Sequence, residues 1–355
     1  MSRLFYTRNA LASMSKLLSY ICIFIITGWL LFACHSSEPL KVKRPPLNVT
    51  FVPFVGYMPV LIAQKKGFFK AQGIDVELSY VDYSQLQQAD FSAGKYDGIA
   101  LSLGDFIMLS APNPDMQAVM VADESTGADV VVAQSDIKTI LNLKGKKLGT
   151  HLGGFSEVFV SEMLKISKLT SDDVRVVKVE PLEVPQRIQN NAIQAGHTWE
   201  PYLSEALKLG AHILFTSKQT PGLILDVVAF RGEVIRDRPE DIRAFVRGWL
   251  QALSYWETNI PEGNAIASKA LNIPSNTISF EGLDLTDFAE NQKFFQSDSP
   301  NYIYKTAKKY ADFFIRTGNV TRLPNLESLF NSSFLSPPPS LKPRSALFSK
   351  AFVQS

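Results

Sequence analysis

Residues 56–77 read GYMPVLIAQKKGFFKAQGIDVE, and the fold turns on how that stretch is read. Pro59 suits the first turn of a helix, where its missing backbone N–H leaves no bond unmade. The apolar run after it predicts a short helix, punctuated at its end by Gly67 and Gly73. The flanking segments LNVTFV (47–52) and IDVELSYV (74–81) are apolar or alternating and carry β-branched residues, so both predict strands. Strand, turn, helix, strand is a βα unit, and its recurrence along a chain predicts mostly parallel sheets.

The unit does recur. YDGIAL (96–101), QAVMVA (117–122) and ADVVVA (128–133) read as further strands, with SQLQQADFSAG (84–94) and GDFIMLSA (104–111) as helices between them. A second set starts at KGKKLGT (144–150) and the helical GGFSEVFVSEMLKISKL (153–169). Strand VRVVKV (174–179) and helix VPQRIQNNAI (184–193) follow. AGHTWEPYLSEALKLG (195–210) then turns from strand to helix, and AHILFT (211–216) and LILDVVAF (223–230) close the set. From residue 233 onward the pattern is almost entirely helical, with RPEDIRAFVRGWLQALSYWETN (238–259) the longest segment. Strands that end before the chain does predict two α/β lobes, one built from a discontinuous stretch, joined by two crossover segments near 128–133 and 223–230. The expected bounds are 47–132 with 229–330 for lobe one and 133–228 for lobe two.

The N-terminus has its own character. Arg3, Arg8 and Lys16 precede the apolar run LLSYICIFIITGWLLF (17–32), too short for a typical membrane span of about 20 residues and suited to a signal peptide. It ends in LFAC (31–34), which fits cleavage before Cys34 and lipidation of that thiol. Residues 1–33 are therefore expected to be a signal peptide, and 34–46 a lipidated cysteine and polar tether. An uncleaved anchor is the other reading; both place the rest of the chain outside the cytoplasm. The only other cysteine, Cys22, lies inside the apolar run, so no internal disulfide is expected in the mature body. Residues 331–355 are expected to form a Pro- and Ser-rich tail.

Composition excludes more than it selects. The 355 residues are 46% hydrophobic, with 36 Lys and Arg against 34 Asp and Glu, and no basic run suggests nucleic acid. GxSxG, GxGxxG, P-loop, CxxC and HExxH motifs are all absent. His35, His151, His197 and His212 share no metal-ligand spacing, so no metal, cofactor or catalytic residue is expected. His151 precedes a Gly-Gly turn and reads as structural more readily than as part of a cleft.

In sheets of this kind ligands sit beyond the carboxyl ends of the strands, where helix N-termini leave N–H groups unpaired. The turns at Gly56-Tyr57, Ser84, Ser102-Leu103, Gly154-Phe155-Ser156 and Trp199-Glu200 are accordingly the candidate binding residues. Gly56 and Tyr57 read equally as turn and core. Glu200 could meet a ligand amine or cap the helix that follows it. Ser125, Thr126 and Asp129, in STGAD (125–129), could reach a ligand from the hinge side or form an ordinary turn.

Five blocks in order resemble the extracytoplasmic solute-binding proteins of ABC importers, of the nitrate, sulfonate, taurine and thiamine-pyrimidine-precursor type. They are GYMPVLIAQKKGFFKAQGIDVEL (56–78), FSAGKYDGIALSLGDFI (91–107), STGADVVVAQSDIKTILNLKGKKLGTHLGGFSEVF (125–159), AGHTWEPYLSEA (195–206) and LDLTDFAENQKFF (283–295). The resemblance implies a type II periplasmic-binding-protein fold with two lobes closing on one small molecule without catalysis. It also implies a monomer partnered by a membrane permease and ATPase. It points to the same candidate residues. Gln194 stands where these receptors often carry an acid, and the body lacks the Cys-rich motif of the pyrimidine-making relatives. Sulfonate or nitrate would favour the helix tips. A pyrimidine or amine would favour Tyr57, Trp199, Glu200 and Asp129, and these aromatic and acidic residues tilt the expectation toward an organic, nitrogen-bearing ligand. A sensor using the same closure, or an enzyme on the same fold, are the alternatives.

Overall fold

The structure, a computed structural model, describes residues 44–271, 274–275 and 278–337. The expected signal peptide, Cys34, most of the tether and the end of the tail lie outside the described residues.

β1 (Leu47–Phe51) leads into α1 (Met58–Lys66), with Pro59 in its first turn. Gly67 ends that helix at φ +75°, a left-handed conformation that costs a residue with a Cβ, and α2 (Phe68–Ala71) restarts the chain in a new direction. β2 (Val76–Tyr80), α3 (Ser84–Ser92), β3 (Gly98–Ser102), α4 (Leu103–Ser110) and β4 (Gln117–Ser125) continue the alternation. The second set holds β5 (Val130–Ala133), β6 (Lys147–Thr150), α5 (Phe155–Ile166), β7 (Arg175–Lys178) and α6 (Val184–Gln189). It ends with β8 (Ala195–Thr198), α7 (Tyr202–Lys208) and β9 (His212–Thr216). β10 (Leu225–Phe230) is followed by α8 (Gly232–Asp237), α9 (Pro239–Thr258), α10 (Ile260–Leu271), β11 (Leu283–Leu285), α11 (Phe288–Phe295) and α12 (Ile303–Thr317). β11 is a strand inside the stretch expected to be helical; at three residues it is too short for a two-residue period to show.

The strands form two sheets, in the orders β11-β4-β10-β3-β1-β2 and β7-β6-β8-β5-β9. β1, β2 and β3 pair in parallel, as do β6, β7 and β8. β10 and β5 run antiparallel to both their neighbours, so each sheet is mixed rather than mostly parallel. The physical reason is connectivity: a strand that enters a lobe from the other lobe arrives at the cleft end and must run the opposite way. The chain leaves the first sheet after Ser125 and enters the second at Val130, then leaves it after Thr216 and returns at Leu225. These crossings fall a few residues before the bounds read from the sequence at 132/133 and 228/229.

α9 shows why the late helices cover the first sheet. Ile242, Phe245, Trp249, Leu253 and Trp256 recur at three- and four-residue steps and are buried, while Glu240 and Asp241 occupy its first turn. Phe245 stacks on Phe69 with ring centres 5.0 Å apart. A second apolar core is continuous between the lobes: Leu101, Phe106 and Ile107 of the first join Leu148, Phe159 and Phe215 of the second. The start of the expected tail belongs to the body, since Phe334 is 2% exposed in the core beneath the first sheet.

Candidate functional site

A cleft enclosing about 850 Å³ of atom-free space, part of it open to solvent, is walled by both lobes. Phe54, Tyr83 and Ser102 reach it from the carboxyl ends of β1, β2 and β3. His151, Glu180 and Trp199 reach it from the corresponding ends of β6, β7 and β8. Asp226 and Asp129 enter where the antiparallel strands β10 and β5 begin. All eight strands thus turn their cleft-side ends toward one space, the arrangement expected of ligand sites in α/β sheets.

Seven of the candidate residues read from the sequence line this space: Tyr57, Ser84, Ser102, Asp129, Phe155, Ser156 and Trp199. The other six stand behind it. Gly56 packs so closely against Asp123 and Phe54 that a Cβ there would overlap both side chains. Leu103 is fully buried in the shared core. Gly154 precedes α5, with its Cα hydrogen aimed at the Asp105 carboxylate. Ser125 and Thr126 belong to the first crossover: the Ser125 and Ser217 hydroxyls hydrogen-bond at 2.8 Å, tying the two crossovers together, and the Thr126 N–H donates to the Gly282 carbonyl. Glu200 accepts from the Ser204 N–H and hydroxyl at 3.2 and 2.9 Å, so it caps α7 and sets the Trp199 loop.

Sequence reasoning missed the acids. Asp105, Asp226 and Glu180 all line the cleft, and His151, read as structural, lines it too. Asp105 sits in the first turn of α4, donating its backbone N–H to Ser102 Oγ at 3.0 Å. Its carboxyl is pushed up by burial, with His151 pulling the other way. Asp226 faces Asp123 directly across the β4–β10 pair, which places like charges opposite one another. Burial, then repulsion from Asp129, raises Asp226 to about 8, against the help of the Tyr57 hydroxyl. Asp123 also rises well above its ordinary value, by burial and then by Asp226. Tyr57 is pushed up in turn by burial and by Asp226. A strand signal such as LILDVVAF shows a polar residue in an apolar run, and that break in pattern was the available clue to Asp226.

Two imidazole–carboxylate pairs complete the wall. His151 Nδ1 lies 3.1 Å from both Glu180 oxygens. Burial alone would discharge His151, but its hydrogen bond to Glu180 and the Asp105 charge outweigh it and raise it, while accepting that bond lowers Glu180. His197, fully buried behind the wall, meets Asp129 Oδ1 through Nε2 at 3.0 Å. Phe155, His197 and Trp199 lie ring against ring at 5.5 to 5.8 Å, which braces the Trp199 face. Among the described residues, no group of three His, Cys, Asp or Glu is arranged to hold a metal ion.

The family assignment follows from comparison with known proteins. The NMT1-like family profile matches residues 41–272. The chain belongs to the NMT1-like family. A Bacillus subtilis (strain 168) protein named for binding aliphatic sulfonates is 23% identical over 288 residues, covering 78% of this chain and 83% of that one. The periplasmic aliphatic sulphonate binding protein SsuA from Escherichia coli superposes with a TM-score of 0.67 at 16% identity, over 85% of this chain and 96% of that one. A desulfurization enzyme, DSZB, superposes with a TM-score of 0.60 at 14% identity, over 82% of this chain and 98% of that one. The fold of this NMT1-like chain is that of the type II periplasmic binding proteins, two α/β lobes joined by two crossovers.

Proposed function

We propose that the chain is the solute-capturing component of an ABC importer, closing two lobes on one small molecule and presenting it unchanged to a membrane permease and its ATPase. The observation that carries this reading is a cleft fed by the strand ends of both lobes, with rings in its walls. The sulfonate-binding name of the Bacillus subtilis relative and the fold shared with SsuA support it. Lipidation of Cys34 would hold the body at the outer face of a membrane, where such a component meets its permease. The site, on this reading, comprises the seven cleft-lining residues named above together with the acids beside them.

The test is a melting-temperature screen against alkanesulfonates, taurine, nitrate, pyrimidines and amines, with mass spectrometry of the recovered solute. A solute that stabilises the protein, comes back with its mass unchanged, and loses its effect in Trp199→Ala supports capture. A solute recovered with a changed mass overturns it. That second outcome has a specific basis, since the His151–Glu180 pair lines the cleft and DSZB shares the fold. Turnover by the His151 pair would disappear in His151→Ala. A sensor that shows its closed form to a signalling partner would bind solute in the same way. It would differ in failing to stimulate ATP hydrolysis by a reconstituted permease.

A further inference from the structure

The cleft wall holds five carboxylates, those of Asp82, Asp105, Asp129, Glu180 and Asp226, and neither Lys nor Arg. Its one basic side chain, His151, is already paired with Glu180. Two further polar atoms on the wall are buried and have no partner: Gln87 Oε1 and Ser156 Oγ. Gln87 is fixed in orientation because its Nε2 donates to the Ala100 carbonyl at 3.2 Å, so the free atom is the acceptor. An unmet buried acceptor calls for a donor. The helix starts that would serve an anion are poorly placed for it, because Asp105 and Glu157 occupy the first turns of α4 and α5. Tyr57, Phe155 and Trp199 line the same space, and aromatic walls suit a flat solute and attract positive charge.

Resting on the capture reading above, we propose that the solute is a flat cation rich in N–H donors, an amidinium or a protonated amino-heterocycle, and that its positive group displaces a proton from the Asp123–Asp226 pair. Asp226 lines the cleft and Asp123 lies directly behind it across the strand pair, with Asp123 Oδ2 buried and unpartnered. Two ionised carboxylates cannot share that position without a counter-charge, so the unliganded pair keeps a proton near neutral pH. The facing groups do not supply the missing charge. From α4 comes Asp105, from the first crossover Asp129 with its His197, and from the turn before α1 the neutral Tyr57. Glu124 acts on Asp123 from the same strand, and Tyr310 of α12 lies in the same acidic field. The His151–Glu180 pair sits on the opposite wall and is balanced within itself. On binding, the carboxyl O–H gives its proton to bulk water and the solute's N–H groups donate to the carboxylate left behind; no bond within the solute changes.

Three probes of one shape separate the possibilities: benzamidinium, neutral benzamide and benzenesulfonate, titrated calorimetrically into the full chain in two buffers of different ionisation enthalpy. The expected result is that benzamidinium binds at least about tenfold tighter than benzamide and benzenesulfonate does not bind. Benzamidinium binding should release a fraction of a proton at pH 7 and tighten by up to about tenfold per pH unit from pH 6 to 8. Asp226→Asn, which keeps the shape, should lose both the cation preference and the proton release, with a cooperative melting transition showing that the variant is folded. Saturable binding of benzenesulfonate in preference to benzamidinium leaves the capture reading standing and overturns this one. So does cation binding with no proton release. If benzamidinium, agmatine and 4-aminopyridinium all fail to bind at about 10 mM, the cationic class is excluded. Failure of the anionic and neutral solutes as well would take the capture reading with it.

Discussion

Asp226 sets the behaviour of the cleft at the scale of single residues. Its folded carboxyl holds a proton up to about pH 8, whereas the unfolded one lets go near 4. The folded state therefore binds more protons between those values, and stability falls as pH rises through them. The contribution is complete below the unfolded value and lost as pH climbs past the folded one, at up to about 1.4 kcal/mol per pH unit for a single proton. Asp226→Asn is expected to flatten that slope and to stabilise the unliganded protein at pH 7; denaturant melts at pH 5, 7 and 8.5 read both effects. Gly56→Ala is expected to cost about 1–3 kcal/mol, because the added methyl overlaps the Asp123 carboxylate and the Phe54 ring. The same substitution at Gly67, which has open space but φ +75°, should cost less and act through backbone strain alone. Trp199→Ala should lower the melting temperature of the unliganded protein modestly, since the partly buried ring packs on Phe155 and His197, while weakening solute binding about tenfold or more.

The β4–β10 pair is the element on which the acid pair depends. Its register shifts twice, and the shift beside Asp226 leaves Ala122 unmatched on β4. The bulge is held from outside the pair. Asn291 of α11 accepts from the Val121 N–H at 2.8 Å and donates to the Val121 carbonyl at 3.0 Å, and the Thr286 N–H donates to the Ala122 carbonyl. Removing that amide orphans two buried backbone groups, so Asn291→Ala should cost roughly 3 kcal/mol by denaturant melts. It should also weaken solute binding, because bulges aim the side chains beside them. This pair also shows what a single sequence reveals. Short-range punctuation, Pro59 in the first turn of a helix or Gly-Gly before another, announced the βα units and the turns that face the cleft. The register that sets Asp123 against Asp226, and the amide of Asn291 that fixes it, join distant parts of the chain and leave no local pattern. Glu200 was open between ligand and cap for the same reason: the choice depends on where Ser204 lies in space.

At the scale of the whole molecule, the two lobes share an apolar core and a hydroxyl clasp between Ser125 and Ser217. They should therefore melt together: scanning calorimetry is expected to give one transition whose calorimetric and van't Hoff enthalpies agree. Two resolved transitions would show that the shared core does not couple them. A captured solute should move that single transition as a unit, by about 2.7 kcal/mol at a hundredfold excess over its dissociation constant. The strand order has a further consequence for how the chain comes together. Every strand of the second sheet lies within residues 130–216 and can pair soon after it emerges from the ribosome. The first sheet has to keep a slot open between β3 and β4 until β10 arrives to fill it. The second sheet can therefore be complete before the first, whose central slot is filled only by a strand made after it.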